Sequence, residues 1–258
     1  MNARNQSIIY TSQPAHVSMA DTWYDIASID HFWIRRRFRV LQKLADPLIR
    51  EARRIAEVGC GNGLVQRCLE DYYHIEVPGF DLNEPALKRN VCRRSPLYCY
   101  DIHHRSEEFR GRFDVIIMFD VLEHIQNDTS FLEETRFHLA KCGSIIINVP
   151  ANQFLFSDYD RVVGHFRRYS MRSLERIAAE SGLRIRRSTY WGAPLIPLVI
   201  LRKGILKFGT KKEEDIISYG LDPRAPFINQ LMEWVSACEP IPQRLLGTSL
   251  MAVLERVA

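Results

Sequence analysis

The sequence predicts an α/β fold built on a mostly parallel sheet, and three features predict it. Short apolar runs alternate with stretches of helical periodicity from about residue 54 to about residue 149. One of those runs, Ile55-Ala56-Glu57-Val58, breaks into Gly59-Cys60-Gly61-Asn62-Gly63-Leu64, which reads as a tight turn at the start of a helix. The next run, Ile75 to Phe80, ends in Asp81, a carboxylate at the C-terminal end of a strand, where sheets of this kind bind ligands.

The elements follow in order. Residues 1–20 carry no clear periodicity and are expected as a flexible arm, which leaves 21–258 as a single domain. From Asp21 the chain is aromatic and basic, and Phe38, Leu41, Leu44 and Leu48 fall close to helical spacing, so a helix over about 21–45 should lie against the sheet as a lid. Strands are predicted near 54–58, 75–80, 97–100, 113–119 and 144–149, with helices near 62–72, 84–93 and 128–141. Such alternation implies right-handed βαβ units. After Pro150 it stops, and an aromatic, basic loop runs through 150–170; connections of that length are commonly functional. Ser170 is a good N-cap for a helix that Gly182 ends. Leu183 to Trp191 and Ser249 to Val257 read as the last two strands, separated by a helical insertion at about 193–247 with candidate helices near 194–207 and 225–238.

Composition bounds the function. A chain of 258 residues, 46% hydrophobic, can bury a sizeable core. The net charge of +4 is modest and no long lysine or arginine run occurs, so nucleic acid is not an expected partner. The six cysteines never form Cys-x-x-Cys, which indicates neither a zinc site nor a disulfide framework. That usage, with a polar N-terminus, suggests the cytoplasm. The apolar run in 194–207 is too short to cross a bilayer. Packing on the domain as a substrate lid, homodimer contact and peripheral membrane contact are all open to it.

The glycine turn also speaks to the cofactor. A dinucleotide fingerprint requires glycine at the sixth position, where Leu64 stands, and Glu57 would repel a diphosphate. A ligand with an amine and a sulfonium but no phosphate, such as S-adenosylmethionine (SAM), suits that carboxylate, while Asp81 suits its ribose hydroxyls.

On these residues the chain resembles the class I SAM-dependent methyltransferases. Phe113-Asp114-Val115-Ile116-Ile117-Met118-Phe119-Asp120-Val121-Leu122-Glu123-His124-Ile125 is similar to that family's fourth motif, and Asp101-Ile102 to the acidic turn that faces adenine. The resemblance implies a Rossmann-like seven-stranded sheet, last strand antiparallel, with the helical insertion as a departure. It implies SAM as cofactor and S-adenosylhomocysteine (SAH) as product. It also implies a cofactor set of Glu57, Gly59, Cys60, Gly61, Asp81, Leu82, Asp101, Ile102 and Phe119, with Trp33 and Arg37 contributed by the N-terminal helix.

The loop around Asp160-Arg161-Val162-Val163-Gly164-His165 and the segment Trp33 to Arg37 resemble bacterial small-molecule methyltransferases of the type 11/12/23 group. That resemblance implies a small-molecule acceptor, a sugar, a lipid-linked intermediate or a secondary metabolite. His165 and His124 are the candidate general bases, because a hydroxyl acceptor must lose a proton. Asp120, Tyr159, Arg167, Arg168 and Tyr169 are the candidate acceptor contacts, arginine forks suiting a carboxylate or phosphate. Asp120, Glu123 and His124 are donor types for a divalent ion, but residues 123 and 124 cannot face one point without an irregular turn, so no metal is expected.

Overall fold

A computed structural model describes residues 7–15, 28–208 and 226–257. Trp23, Tyr24 and the charged stretch 211–215 lie outside them. Eight strands form one sheet in the order β1-β4-β3-β2-β5-β6-β8-β7. They are β1 (Ile8–Tyr10), β2 (Ile55–Val58), β3 (Gly79–Asp81), β4 (Leu97–Cys99), β5 (Phe113–Phe119), β6 (Leu139–Pro150), β7 (Leu183–Trp191) and β8 (Ser249–Arg256). All neighbours run parallel except β8, which is antiparallel to both β6 and β7.

The central strands are apolar without interruption because both of their faces are covered. Val115, Ile117 and Phe119 of β5 pack on one side with Ile55, Ile146 and Val253. Helix α1 (Phe32–Glu51) covers that side through Val40, Leu41, Leu44, Ala45 and Ile49. On the other side, Ile116 and Met118 meet Phe131 and Leu132 of α4 (Asp128–His138) and Leu174, Ile177 and Ala178 of α6 (Met171–Glu180). Period-two strands between two helical layers thus build one core on each face.

Two expectations are corrected. The arm is not free of structure: Ile8–Tyr10 pairs in parallel with β4, and the N–H of Ala15 donates to Leu82 O at 3.1 Å. Of the lid helix expected over 21–45, residues 21–27 lie outside the described residues, and the described helix starts at Phe32, because His31 accepts from the N–H of Trp33 and caps it there.

The remaining helices are α2 (Leu64–Tyr73), α3 (Glu84–Lys88), α5 (Asp158–Val162) inside the 150–170 loop, and α7 (Ile196–Phe208) and α8 (Pro226–Ala237) of the insertion. Helix α8 packs on α1, whose arginines are engaged by acids: Arg35 and Arg39 by Glu233, and buried Arg36 by Glu239 at 3.1 Å. Helix α7 packs on the loop through Ile196 and Val199 against Leu155. No helix among the described residues is long and apolar enough to cross a membrane.

Candidate active site

The cavity lies at the C-terminal ends of β2, β3, β4 and β5 and measures about 380 Å³, within the range of small-ligand sites. Gly59 takes φ +71° and lies so close to Val121 that a Cβ there would stand 2.3 Å from its methyl, so the turn admits only glycine. Gly63, at φ +76°, starts α2 and lets Leu64 enter the wall as the first helical residue. Glu57 is buried, and its Oε2 accepts from the N–H of Gln66 at 3.1 Å. Burial pushes its carboxyl up to about 8, against the opposing pull of Arg37. Asp81 accepts from the N–H of Gly61 at 2.7 Å and of Asn83 at 2.8 Å, which ties the end of β3 to the turn. Burial raises its carboxyl as well.

Cys60, Leu82, Asp101, Ile102 and Phe119 also line the cavity, and Asp101 caps the following 3-10 turn by accepting from the N–H of His103 at 2.9 Å. Arg37 reaches the cavity from α1, lies 5.2 Å from the Phe119 ring centre and forms an ion pair with Asp120. Asp120 holds φ +55°, where its N–H reaches Asn148 O at 2.8 Å and its Oδ1 accepts from Asn148 Nδ2 at 2.7 Å. Such strain concentrates at ligand sites. Trp33 is not in the wall. Its indole packs on Trp191, ring centres 4.4 Å apart, while Trp191 donates to Asn148 Oδ1 at 2.8 Å. Ala15 and His103 line the cavity without any sequence signal, since an arm and a loop carry no periodicity.

The 150–170 loop is organised by a carboxylate that the sequence did not single out. Asp160 is fully buried; its Oδ1 accepts from His165 Nδ1 at 3.0 Å and Arg168 Nε at 2.8 Å, and its Oδ2 from the N–H of Ser157 at 2.9 Å. Burial raises its carboxyl, but the hydrogen bond from His165 and the charge of Arg168 outweigh that and hold it down to about 2. An ionised acceptor places the shared proton on His165 Nδ1, which turns Nε2 toward Glu123, 3.9 Å away. His165 stands edge-on to His124, ring centres 4.8 Å apart, and it is His124 that lines the cavity.

Three expected acceptor contacts are engaged within the protein. Tyr169 is buried and donates to Leu122 O at 3.1 Å and Asp128 Oδ2 at 2.9 Å. Arg167 pairs with Asp128 at 2.7 Å and donates to Gln126 O, and Arg168 is held by Asp160 and Ala151 O. The loop spends these groups on its own conformation, because it is long and must be ordered without a sheet ladder. Tyr159 faces the guanidinium of Arg202 at 4.1 Å.

The irregular turn thought to be missing is present: Leu122–His124 is 3-10, and Glu123, His124 and His165 each offer a donor atom within 4.8 Å of the others. Burial, then the charge of Asp120, raise the Glu123 carboxyl well above its usual range, and a protonated acid is a poor metal ligand.

A parallel sheet closed by an antiparallel last pair, whose cavity meets its ligand with carboxylates where a dinucleotide would want amides, is the class I methyltransferase arrangement. The chain belongs to the Methyltransferase domain family, matched over residues 29–188, and SAM is its cofactor. A Mycolicibacterium smegmatis protein named "Probable S-adenosylmethionine-dependent methyltransferase" is 30% identical over 132 residues, 50% of this chain and 49% of that protein, so the match spans about half the relative's length. Among solved structures, a SAM-dependent methyltransferase from Archaeoglobus fulgidus is similar, with TM-score 0.53 at 17% identity, over 86% of this chain and 94% of that one. Phosphoethanolamine N-methyltransferase 2 of Haemonchus contortus, in complex with SAM, gives TM-score 0.58 at 14% identity over 92% and 57% of the two chains. At such identities the likeness is one of fold.

Proposed function

We propose that this protein methylates an oxygen of a small-molecule acceptor, with His124 removing the hydroxyl proton. The observation that supports this reading is the line from Asp160 through His165 to His124, which ends at the cavity wall. When bound, the cofactor supplies a methyl group already activated on a sulfonium, so the protein's work is alignment, exclusion of water and proton removal.

In this reading the cavity fits the cofactor by its size, by the side-chain-free cradle at Gly59 and by its acidic wall. Glu57 faces the amine end, Asp81 the ribose hydroxyls, Asp101 and Ile102 the base, and Arg37, already at the wall beside Asp120, the carboxylate. His124 takes the acceptor's proton as the oxygen bonds to the methyl carbon and the carbon–sulfur bond breaks, leaving a neutral thioether. His165 is a positioning residue: Asp160 fixes its ring, and its ring fixes that of His124.

The test is transfer of labelled methyl to a panel of hydroxyl, amine and carbon acceptors. Methyl ethers formed by the wild type and lost in His124→Ala, with SAH affinity unchanged, are the expected result. Products methylated only at nitrogen or carbon, or full activity in His124→Ala, would overturn it.

A further inference from the structure

The arginines of the acceptor loop are engaged internally, and the insertion brings another to the same place. Arg161 pairs with Asp158, Arg167 with Asp128 and Arg168 with Asp160. Arg202, on α7, is 9% exposed, and its Nε is buried with no hydrogen-bond partner among the described residues. The Tyr159 ring centre lies 4.1 Å from its guanidinium carbon.

The groups whose charge reaches Arg202 are Tyr159, Arg168 and Asp160. Asp160 is already taken by His165, Arg168 and Ser157, and Arg168 repels. Burial first, and then Arg168, lower the tendency of Arg202 to hold its proton. A guanidinium nearly out of water, with its Nε unused and no carboxylate paired to it among the described residues, is costly unless a ligand supplies the anion. Neither Arg202 nor Tyr159 is in the cavity lining, but Tyr159 adjoins Asp160, whose carboxylate holds His165 against His124 of the wall, so the cation stands behind the His165 side of the site.

We infer that Arg202, backed by Tyr159, binds an anionic group, a carboxylate or phosphate, carried by the acceptor, so that the insertion selects acidic substrates. The guanidinium fork suits either group, and the flat phenol beneath it holds the fork in one plane. An anion held there belongs to the acceptor only if the small-molecule reading above is right.

The experiment reads anion binding rather than methyl transfer, so its failure leaves the transfer proposal standing. SAH-saturated full-length protein is titrated calorimetrically with inorganic phosphate, with benzoate and with neutral benzamide, at constant ionic strength. Saturable binding of phosphate or benzoate, but not benzamide, is expected. Phosphate alone points to a phosphate ester and benzoate alone to a carboxylic acid. R202M should weaken that binding about tenfold or more, as loss of a charge-assisted hydrogen bond does, while R161M leaves it unchanged. Binding of neither anion, or equal binding by R202M and wild type, would overturn the inference. Should R202M fail to fold, protein labelled at arginine 15Nε decides: the Arg202 resonance, assigned by its loss in R202K, must move on anion addition, and an unmoved resonance overturns it equally.

Discussion

The wall formed by β2, α2 and β3 carries carboxylates that line the cavity, the 150–170 loop carries one that stands behind it, and the two regions use them in opposite ways. Among the described residues, Glu57 and Asp81 accept backbone N–H groups, including those of Gln66, Gly61 and Asn83, and no side-chain cation is hydrogen-bonded to them. Burial therefore raises both carboxyls. Asp160 is as buried as Glu57 but is surrounded by His165 and Arg168, and its carboxyl falls to about 2. The first arrangement leaves carboxyls whose ionised form a ligand's cation would complete, and the second completes its charge inside the protein. One side is poised to bind, the other to hold a histidine still.

Removing the group at the end of the histidine line should give the largest effect. His124→Ala is expected to lower methyl transfer by about 10²- to 10⁴-fold in single-turnover assays, with SAH affinity intact. His165→Ala should cost less, since it acts through His124; the reverse order would move the base to the loop.

On the binding side, Asp81→Ala should weaken SAH by about 10²-fold in calorimetry, as expected for losing charge-assisted hydrogen bonds to the ribose together with the tie to Gly61. An unchanged affinity would mean that the carboxylate serves the turn alone.

Asp160→Asn tests the completed charge. A fall from 3.8 to about 2 corresponds to about 2 kcal/mol of stability, present at neutral pH and lost as pH drops through about 2. Chemical denaturation of wild type and variant should differ by about that amount at pH 7 and converge near pH 2.

Glu57 has the opposite sign. Its carboxyl rises from 4.5 to about 8 on folding, so the ligand-free protein should lose stability as pH climbs across that range. Glu57→Gln should flatten the melting-temperature profile there. SAM should do the same by bringing a cation to the ionised form; a profile of wild-type steepness in both cases would contradict the electrostatic reading of the wall.

The smallest expected effect is none. Exhaustive treatment with a chelator should leave activity unchanged, because the histidine line needs no ion. A loss restored by a divalent metal would reassign Glu123, His124 and His165 as its ligands.

The two regions also differ in how far the amino-acid order revealed them. Gly59, Asp81 and the fourth-motif segment were legible because a strand end, a turn and a helix start are adjacent in the chain, and local sterics restrict which residues can stand there. Arg168 and Tyr169 were read as acceptor contacts because their chemistry fits one; salt bridges of the loop arginines with Asp158 and Asp160 were the open alternative, and the Asp128 partner becomes visible only when the loop folds back. Trp33 was assigned to the cofactor by its aromatic character, but its partner Trp191 lies some hundred and fifty residues away.

By itself, then, the sequence determined the mostly parallel sheet, the cofactor class and the carboxylates that line the cavity, since periodicity and glycine turns are short-range properties. The tertiary structure alone decided that His124 rather than His165 lines the cavity, that the arm adds an eighth strand, and that Arg202 of the insertion is, among the described residues, a buried arginine with no ion pair. Those outcomes depend on which distant charges meet and cancel. Cancellation of charge is a property of packed pairs, and a linear sequence does not list its pairs.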